Sequence, residues 1–207
     1  LVTLGTLKGQ VMTASQHPEH PANFTDFSNH FLVAMPAMAD PNFSGTVVYL
    51  AEHSPKGALG IVVNRPLEID LGNLFERISL KLHDESFATK PVFSGGPVQN
   101  DRGFVLHSPA GEFNSSIHVG PDIALTSSKD VLEALSTGAG PRKVLVSLGY
   151  AAWGEGQLES ELAENAWLTV QADPQVIFDT PVGQRYDRAL ALLGLQSWML
   201  SRDAGHA

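Results

Sequence analysis

The stretch Val144–Asn165, VLVSLGYAAWGEGQLESELAEN, constrains the fold more than any other part of the chain. Val144–Leu148 is an apolar run of strand length. Gly149, Gly154 and Gly156 then crowd around Tyr150 and Trp153, and Leu158 and Leu162, one helical turn apart, open a helical pattern over Gln157–Asn165. The spacing predicts a strand, a tight glycine loop and a helix start, a place where backbone N–H groups can converge on a ligand or a partner.

Such a strand needs neighbours, and the sequence supplies several short ones. Phe31–Met35 ends at Pro36. Thr46–Ala51 and Gly57–Asn64 are apolar, β-branched runs joined by Glu52–His53–Ser54–Pro55–Lys56, the pattern of a hairpin. Pro91–Ser94 stops at Gly95–Gly96–Pro97, and Gly103–His107 follows Asp101–Arg102; the paired glycines permit a turn with positive φ. Ile117–Val119 and Asp122–Thr126 read as a hairpin about Gly120–Pro121, and Trp167–Val170 as a last strand.

Helical spacing recurs in Leu71–Leu80 behind the cap Asp70, and in Lys129–Ser136 between a Ser127 or Ser128 cap and Gly138. It appears again in Gln184–Leu193 ahead of Gly194, and Pro174 suits the first turn of a short segment after Asp173. The sum is one α+β domain over residues 26–207, behind a polar and mobile tail over residues 1–25.

Composition narrows the function classes. A chain of 207 residues buries roughly 70% of its extended surface on folding, so a substantial core is available. No apolar stretch approaches the roughly 20 residues of a membrane-spanning helix. A net charge of -9 repels phosphate backbones, and the basic residues are not gathered in sequence. The helices Leu71–Leu80, with Arg77 and Lys81, and Gln184–Leu193, with Gln184, Arg185 and Arg188, offer too few groups for base recognition. The absence of cysteine excludes disulfides, thiolate zinc sites and a cysteine nucleophile.

Leu1–Val11 lacks the basic start and long apolar centre of an export signal, so a cytoplasmic location is expected. Gly138–Ala139–Gly140–Pro141–Arg142–Lys143 is not a Walker loop, and the glycines around Trp153 do not follow the dinucleotide pattern. No cofactor is expected. No metal is expected either, since no carboxylate pattern accompanies His17 and His20 in the tail.

The candidate binding residues stand at the ends of three predicted strands: Asn64 and Arg65; Gly95 and Gly96 with Asp101 and Arg102; Gly149, Tyr150 and Trp153, with Gln157 beyond. If these ends meet at one rim, guanidinium groups, bare amides and rings form a concave site for an anionic or planar partner. The plainer alternative is that the glycines only turn the chain and that the two arginines pair with Asp101, Glu159 or Glu161. A catalytic alternative uses Glu159 or Glu161 with His107 as acid and base. Acidic residues near a helix start are also what the helix dipole favours without any function. Neither a Gly-x-Ser-x-Gly elbow nor a His-Glu-x-x-His helix is present.

Phe31–Pro36, GALGIVVNRP over Gly57–Pro66, GGPVQNDRGFVLH over Gly95–His107 and LGYAAWGEGQLESEL over Leu148–Leu162 resemble the bacterial AlgH/YqgE family. The similarity runs on through Asn165–Trp167, Ile177–Asp179 and Ala204–Ala207, and Ala152 departs from a glycine in the family's GYAGW stretch. The resemblance implies a mixed, bifurcated β-sheet curled into a pseudo-barrel with flanking helices, in a cytosolic bacterial protein. Members are often labelled transcriptional regulators, but the family supplies no established reaction, agreed partner or catalytic residues. The expected function is a non-enzymatic regulatory or interaction protein. It would hold a protein segment or a small anionic ligand at the surface around Arg65, Arg102, Tyr150 and Trp153. A hydrolase-like enzyme and a DNA-binding regulator are the alternatives.

Overall fold

A computed structural model describes residues 24–200. The polar tail read over residues 1–25 and the Ala204–Ala207 similarity lie outside the described residues, Phe24 and Thr25 excepted.

Ten strands form one curled sheet: β1 His30–Ala34, β2 Val47–Ser54, β3 Gly57–Val62, β4 Pro66–Asp70, β5 Pro91–Ser94, β6 Val98–Ser108, β7 Ser116–Val119, β8 Ile123–Thr126, β9 Lys143–Trp153 and β10 Trp167–Gln171. The path runs β10-β1-β2-β3-β9-β6-β8-β7, with β7 curling back against β2 to give an antiparallel half-barrel. The helices are α1 Leu71–Arg77, α2 Asp130–Thr137, α3 Gln157–Ala163, α4 Pro174–Phe178 and α5 Arg185–Ala191. Among the described residues, no helix is long and apolar enough to cross a membrane.

Period-two alternation distributes the side chains over three cores. Phe31 and Val33 of β1, Tyr49 of β2, Ile61 of β3 and Leu106 of β6 fill the concave side, where α4 and α5 add Ile177 and Leu190. Their neighbours Leu32, Val48, Leu50 and Val62 face outward beneath Leu158 of α3, with Trp153 and Trp167. Val105, Val144 and Val146 face outward further along, beneath Leu71 and Phe75 of α1 and Val131 and Leu135 of α2. The alternation makes both faces of β2 apolar, and both are covered.

The sheet forks at β9. Its far half pairs with β3, Ala151 opposite Gly60 and Trp153 opposite Ala58. Its near half instead takes β5 as a parallel neighbour, Ser147 beside Phe93. Gly95 ties the fork, donating its N–H to the Leu148 carbonyl at 2.8 Å and accepting the Val62 N–H at 2.9 Å. A Cβ on Gly95 would lie 2.3 Å from the Gly149 carbonyl oxygen, so the close backbone approach requires glycine.

Several boundaries differ from the sequence reading. The stretch Gly149–Trp153 is not a loop: Gly149 at φ +75° kinks β9 without ending it, and only Gly154–Gly156 turns the chain into α3. The strand β6 starts at Val98 rather than Gly103, with Gln99–Arg102 as an excursion where its register with β9 shifts. The edge strand β4 pairs only with β5, and its short Leu67–Ile69 alternation is largely exposed. The α2 helix begins after Lys129, not under a serine cap; the Ser128 hydroxyl is spent on the Asp130 carboxylate. At its other end, Gly138 does take the left-handed stop.

Candidate functional site

Tyr150 and Trp153 are three residues apart on one strand, so they leave opposite faces of the sheet. The residues proposed from the sequence therefore sort into two groups.

On the outer face, the Trp153 ring stacks on Phe43 at a centroid separation of 5.8 Å and meets Trp167 edge-on at 6.0 Å. Both indole N–H groups donate to Oε2 of Glu161, at 2.9 and 2.8 Å, and Gln157 donates to Oε1 at 3.1 Å. The other end of the Gln157 amide accepts the Gly154 N–H and closes the turn before α3. Arg65 sits behind the same loop, donating to the carbonyls of Asn42 at 2.5 Å and Ser44 at 2.8 Å. Asn64 accepts the Val47 N–H and donates to the Gly45 carbonyl. Asn64 and Arg65 thus fasten the loop that carries Phe43 onto the tryptophans, and Arg65 spends its guanidinium on backbone.

Glu159 is held by His53 at 2.8 Å. The Nδ1 atom of His53 accepts the Phe27 N–H, which leaves Nε2 as the atom that carries the proton toward Glu159. The ring is 4% exposed and packed on Phe24 and Phe27. Both carboxylates of the catalytic alternative are therefore committed to holding α3 and the N-terminal segment in place. His107 pairs with Val144 at the opposite end of β9, about 30 Å along the strand from Trp153. The structure does not bring His107 to Glu159 or Glu161.

On the concave face, Arg102 and Tyr150 line a cleft of about 220 Å³ with Gln99, Phe104, Ser115 and Ser127. The Arg102 guanidinium lies 5.6 Å over the Phe104 ring, and Tyr150 meets the same ring edge-on at 5.2 Å. Its polar contacts are long and neutral: Gln99 Oε1 at 3.4 Å and Ser127 Oγ at 3.3 Å. Among the described residues the ion pairs are His53–Glu159, Lys129–Glu133 and Lys143–Asp179, so neither Arg65 nor Arg102 has a carboxylate. Asp101 stays exposed on the same excursion. Gly95, Gly96 and Gly149 form the backbone floor between the two groups and offer no open face to a ligand.

His107 is sealed. Its Nδ1 donates to the Pro109 carbonyl at 3.0 Å, and its Nε2 accepts from the Thr126 hydroxyl at 2.7 Å. The Thr126 oxygen in turn lies 2.6 Å from Ser116 Oγ. Burial pushes the imidazole pKa below its ordinary value, and His118 adds a smaller push in the same direction. The unfolded chain therefore takes up this proton first as pH falls, and native stability drops below about pH 6.5. Thermal unfolding between pH 7 and 5 is expected to show a steeper loss for the wild type than for His107→Gln.

A concavity of about 660 Å³ lies at the other end of β9 and was not foreseen from the sequence. Ser108, Asp122, Arg142, Lys143, Gln171 and Pro174 are among its walls. These residues come from the ends of separate strands and the start of α4.

Forked sheet, buried polar ties and open strand-end clefts together define an α+β half-barrel scaffold. The chain belongs to the AlgH-like family, whose model matches residues 31–198. A UPF0301 protein of Variovorax paradoxus is 61% identical over 196 residues, covering 90% of this chain and 97% of the relative. A UPF0301 protein of Burkholderia cenocepacia is 57% identical over 189 residues, covering 90% and 98%. The solution structure of the AlgH protein from Pseudomonas aeruginosa superposes with a TM-score of 0.72 at 45% identity, covering 94% of this chain and all of that one. A crystal structure from Corynebacterium diphtheriae shares the fold, with a TM-score of 0.66 at 17% identity over 90% of this chain and 94% of that one.

Proposed function

We propose that this is a cytosolic, non-enzymatic binding protein whose Arg102–Tyr150 cleft receives an anionic group, carried by a protein segment or a small ligand. One observation carries the reading: Arg102 is held over Phe104 in a cleft that Tyr150 also lines, with only neutral and long contacts of its own. A guanidinium with an aromatic support and unspent donors suits a carboxylate or phosphate. Arg65, spent on two carbonyls, is not part of this surface.

The test is fluorescence polarisation with labelled peptides bearing glutamate or phosphoserine. A peptide bound by the wild type is expected to lose about tenfold or more in affinity on Arg102→Ala. The same peptide should bind Arg77→Ala, altered at an exposed position of α1 outside this cleft, as it binds the wild type. Equal binding by wild type and Arg102→Ala overturns the reading, as does the absence of binding to every acidic peptide.

A further inference from the structure

Period-two alternation brings apolar side chains to the concave face from five strands. Leu59 of β3, Ile117 of β7 and Tyr150 of β9 are each half-buried there, packed on a core that includes the buried Phe104 of β6 and Leu125 of β8. Ile117 stands directly opposite Leu125 across the last strand pair, and Tyr150 meets Phe104 edge-on. All five line the Arg102 cleft, so the exposed guanidinium stands beside a continuous apolar wall.

The charge in this cleft is single. Among the described residues, Arg102 is the one charged side chain that lines it; Gln99, Ser115 and Ser127 are neutral, and Asp101 is not among the walls. Nη1 and Nη2 of Arg102 each make one long hydrogen bond, and Nε makes none among the described residues. Three of the five N–H donors of the guanidinium therefore stay open to a ligand. The excursion that carries these groups is strained: Gln99 holds φ at +46°, a left-handed conformation that a side chain adopts at a cost.

We propose that the cleft takes an aliphatic monocarboxylate of about one residue's size, its carboxylate on Arg102 and its branched chain against Leu59, Ile117 and Leu125. This rests on the reading of the cleft as an anion-binding site, and names the ligand. Charge matching selects the carboxylate, since one guanidinium balances one negative charge, whereas a phosphate monoester carries roughly -1.5 to -2 and calls for further cations. Volume selects the length: a cleft of about 220 Å³ equals roughly seven waters' share of liquid volume, room for one residue and not for a stretch of peptide. A free amino acid fits poorly, because its ammonium would meet no acid on the walls. Two sources carry the remaining chemistry: the last residue of a peptide that ends in leucine, isoleucine or valine, and a free branched acid.

The test is an amide chemical-shift titration of the full chain with a capped tripeptide ending in leucine, as free acid and as carboxamide. The same tripeptide ending in glycine, and 4-methylpentanoate, are titrated in parallel. Saturable shifts at Leu59, Arg102, Ile117, Leu125 and Tyr150 are expected with the leucine acid. Amidation should weaken binding about tenfold or more, and glycine in place of leucine about tenfold. If 4-methylpentanoate binds as tightly as the leucine acid, the source is a free acid; if more weakly, a peptide terminus; each supports the proposal. Ile117→Ala, on the half-buried wall, should fold and reduce the preference for leucine over glycine while the loss on amidation persists. The proposal is overturned if the leucine and glycine acids bind alike, if amidation changes nothing, or if Ile117→Ala keeps the full preference. A phosphoserine or internal-glutamate peptide that binds through Arg102 when the leucine acid does not would leave the anion-binding cleft standing and remove this ligand. Silence from every anion would remove both.

Discussion

Gly96→Ala is expected to cost about 4 kcal/mol or more, enough to leave a protein of ordinary stability largely unfolded. Gly96 holds φ at +151°, a region that side chains rarely enter, and an added Cβ would stand 2.2 Å from both the carbonyl carbon and oxygen of Tyr150. The obstacle is backbone in a paired strand, so no rotamer change relieves it. Moving Tyr150 would break its pairing with Val98 and disturb Gly95, which ties β3 to β9 at the fork. The control is Gly103→Ala in the strand that follows, β6, where nothing lies within 4 Å of the added Cβ and φ is ordinary. There the change should be neutral or slightly stabilising, within about 1 kcal/mol. Urea unfolding of both variants measures the contrast. A Gly96→Ala protein as stable as Gly103→Ala would mean that the fork is not held by backbone contact.

The same glycines explain which parts of the fold could be read from sequence. Strands whose residues pack on both faces announce themselves: β2 opens with the unbroken apolar run Val47–Ala51, and its place was clear. The far half of β9 was hidden because Gly149 carries the signature of a turn. The hydrogen bonds that keep it in the sheet come from Val98, Gly60 and Ala58, all distant in sequence. That one misreading carried over to the site. Had Gly149–Trp153 been taken as strand, period-two alternation alone would have placed Tyr150 and Trp153 on opposite faces. No pattern shows that Arg65 and Asn64 end on the backbone of Asn42–Val47, because a side chain bonded to carbonyls leaves no mark on the spacing of residues. The large cleft beside Arg142 was illegible for a related reason, since the sheet topology alone brings Ser108, Asp122, Lys143 and Gln171 together.

Three arginines, alike as letters in the sequence, thus have three fates set by what surrounds them. Arg65 fastens a loop, Arg102 waits in an open cleft, and Arg185 lies inside the protein. Only the last is costly in both states of occupation: the charge needs compensation when present, and the carbonyls of Val63 and Thr180 need a donor when it is gone. Those carbonyls belong to the residue just past β3 and to the turn between α4 and α5, so the guanidinium pins the helices that close the concave core.

Arg185→Ala is accordingly expected to lose about 3–5 kcal/mol, combining two orphaned carbonyls with an emptied space beside Phe93. Arg185→Met separates these causes. Methionine refills most of the volume and should recover about 1–2 kcal/mol, but it donates nothing to either carbonyl and should remain clearly below the wild type. Arg185→Lys keeps a charge and a single donor group, and its rank against methionine reports whether donation or packing dominates. Denaturant midpoints for the three variants decide the matter. If methionine matched the wild type, the carbonyls would have to be satisfied by water, the guanidinium would be a removable charge, and the pinning of α4 and α5 would rest on Ile177 and Leu190 alone.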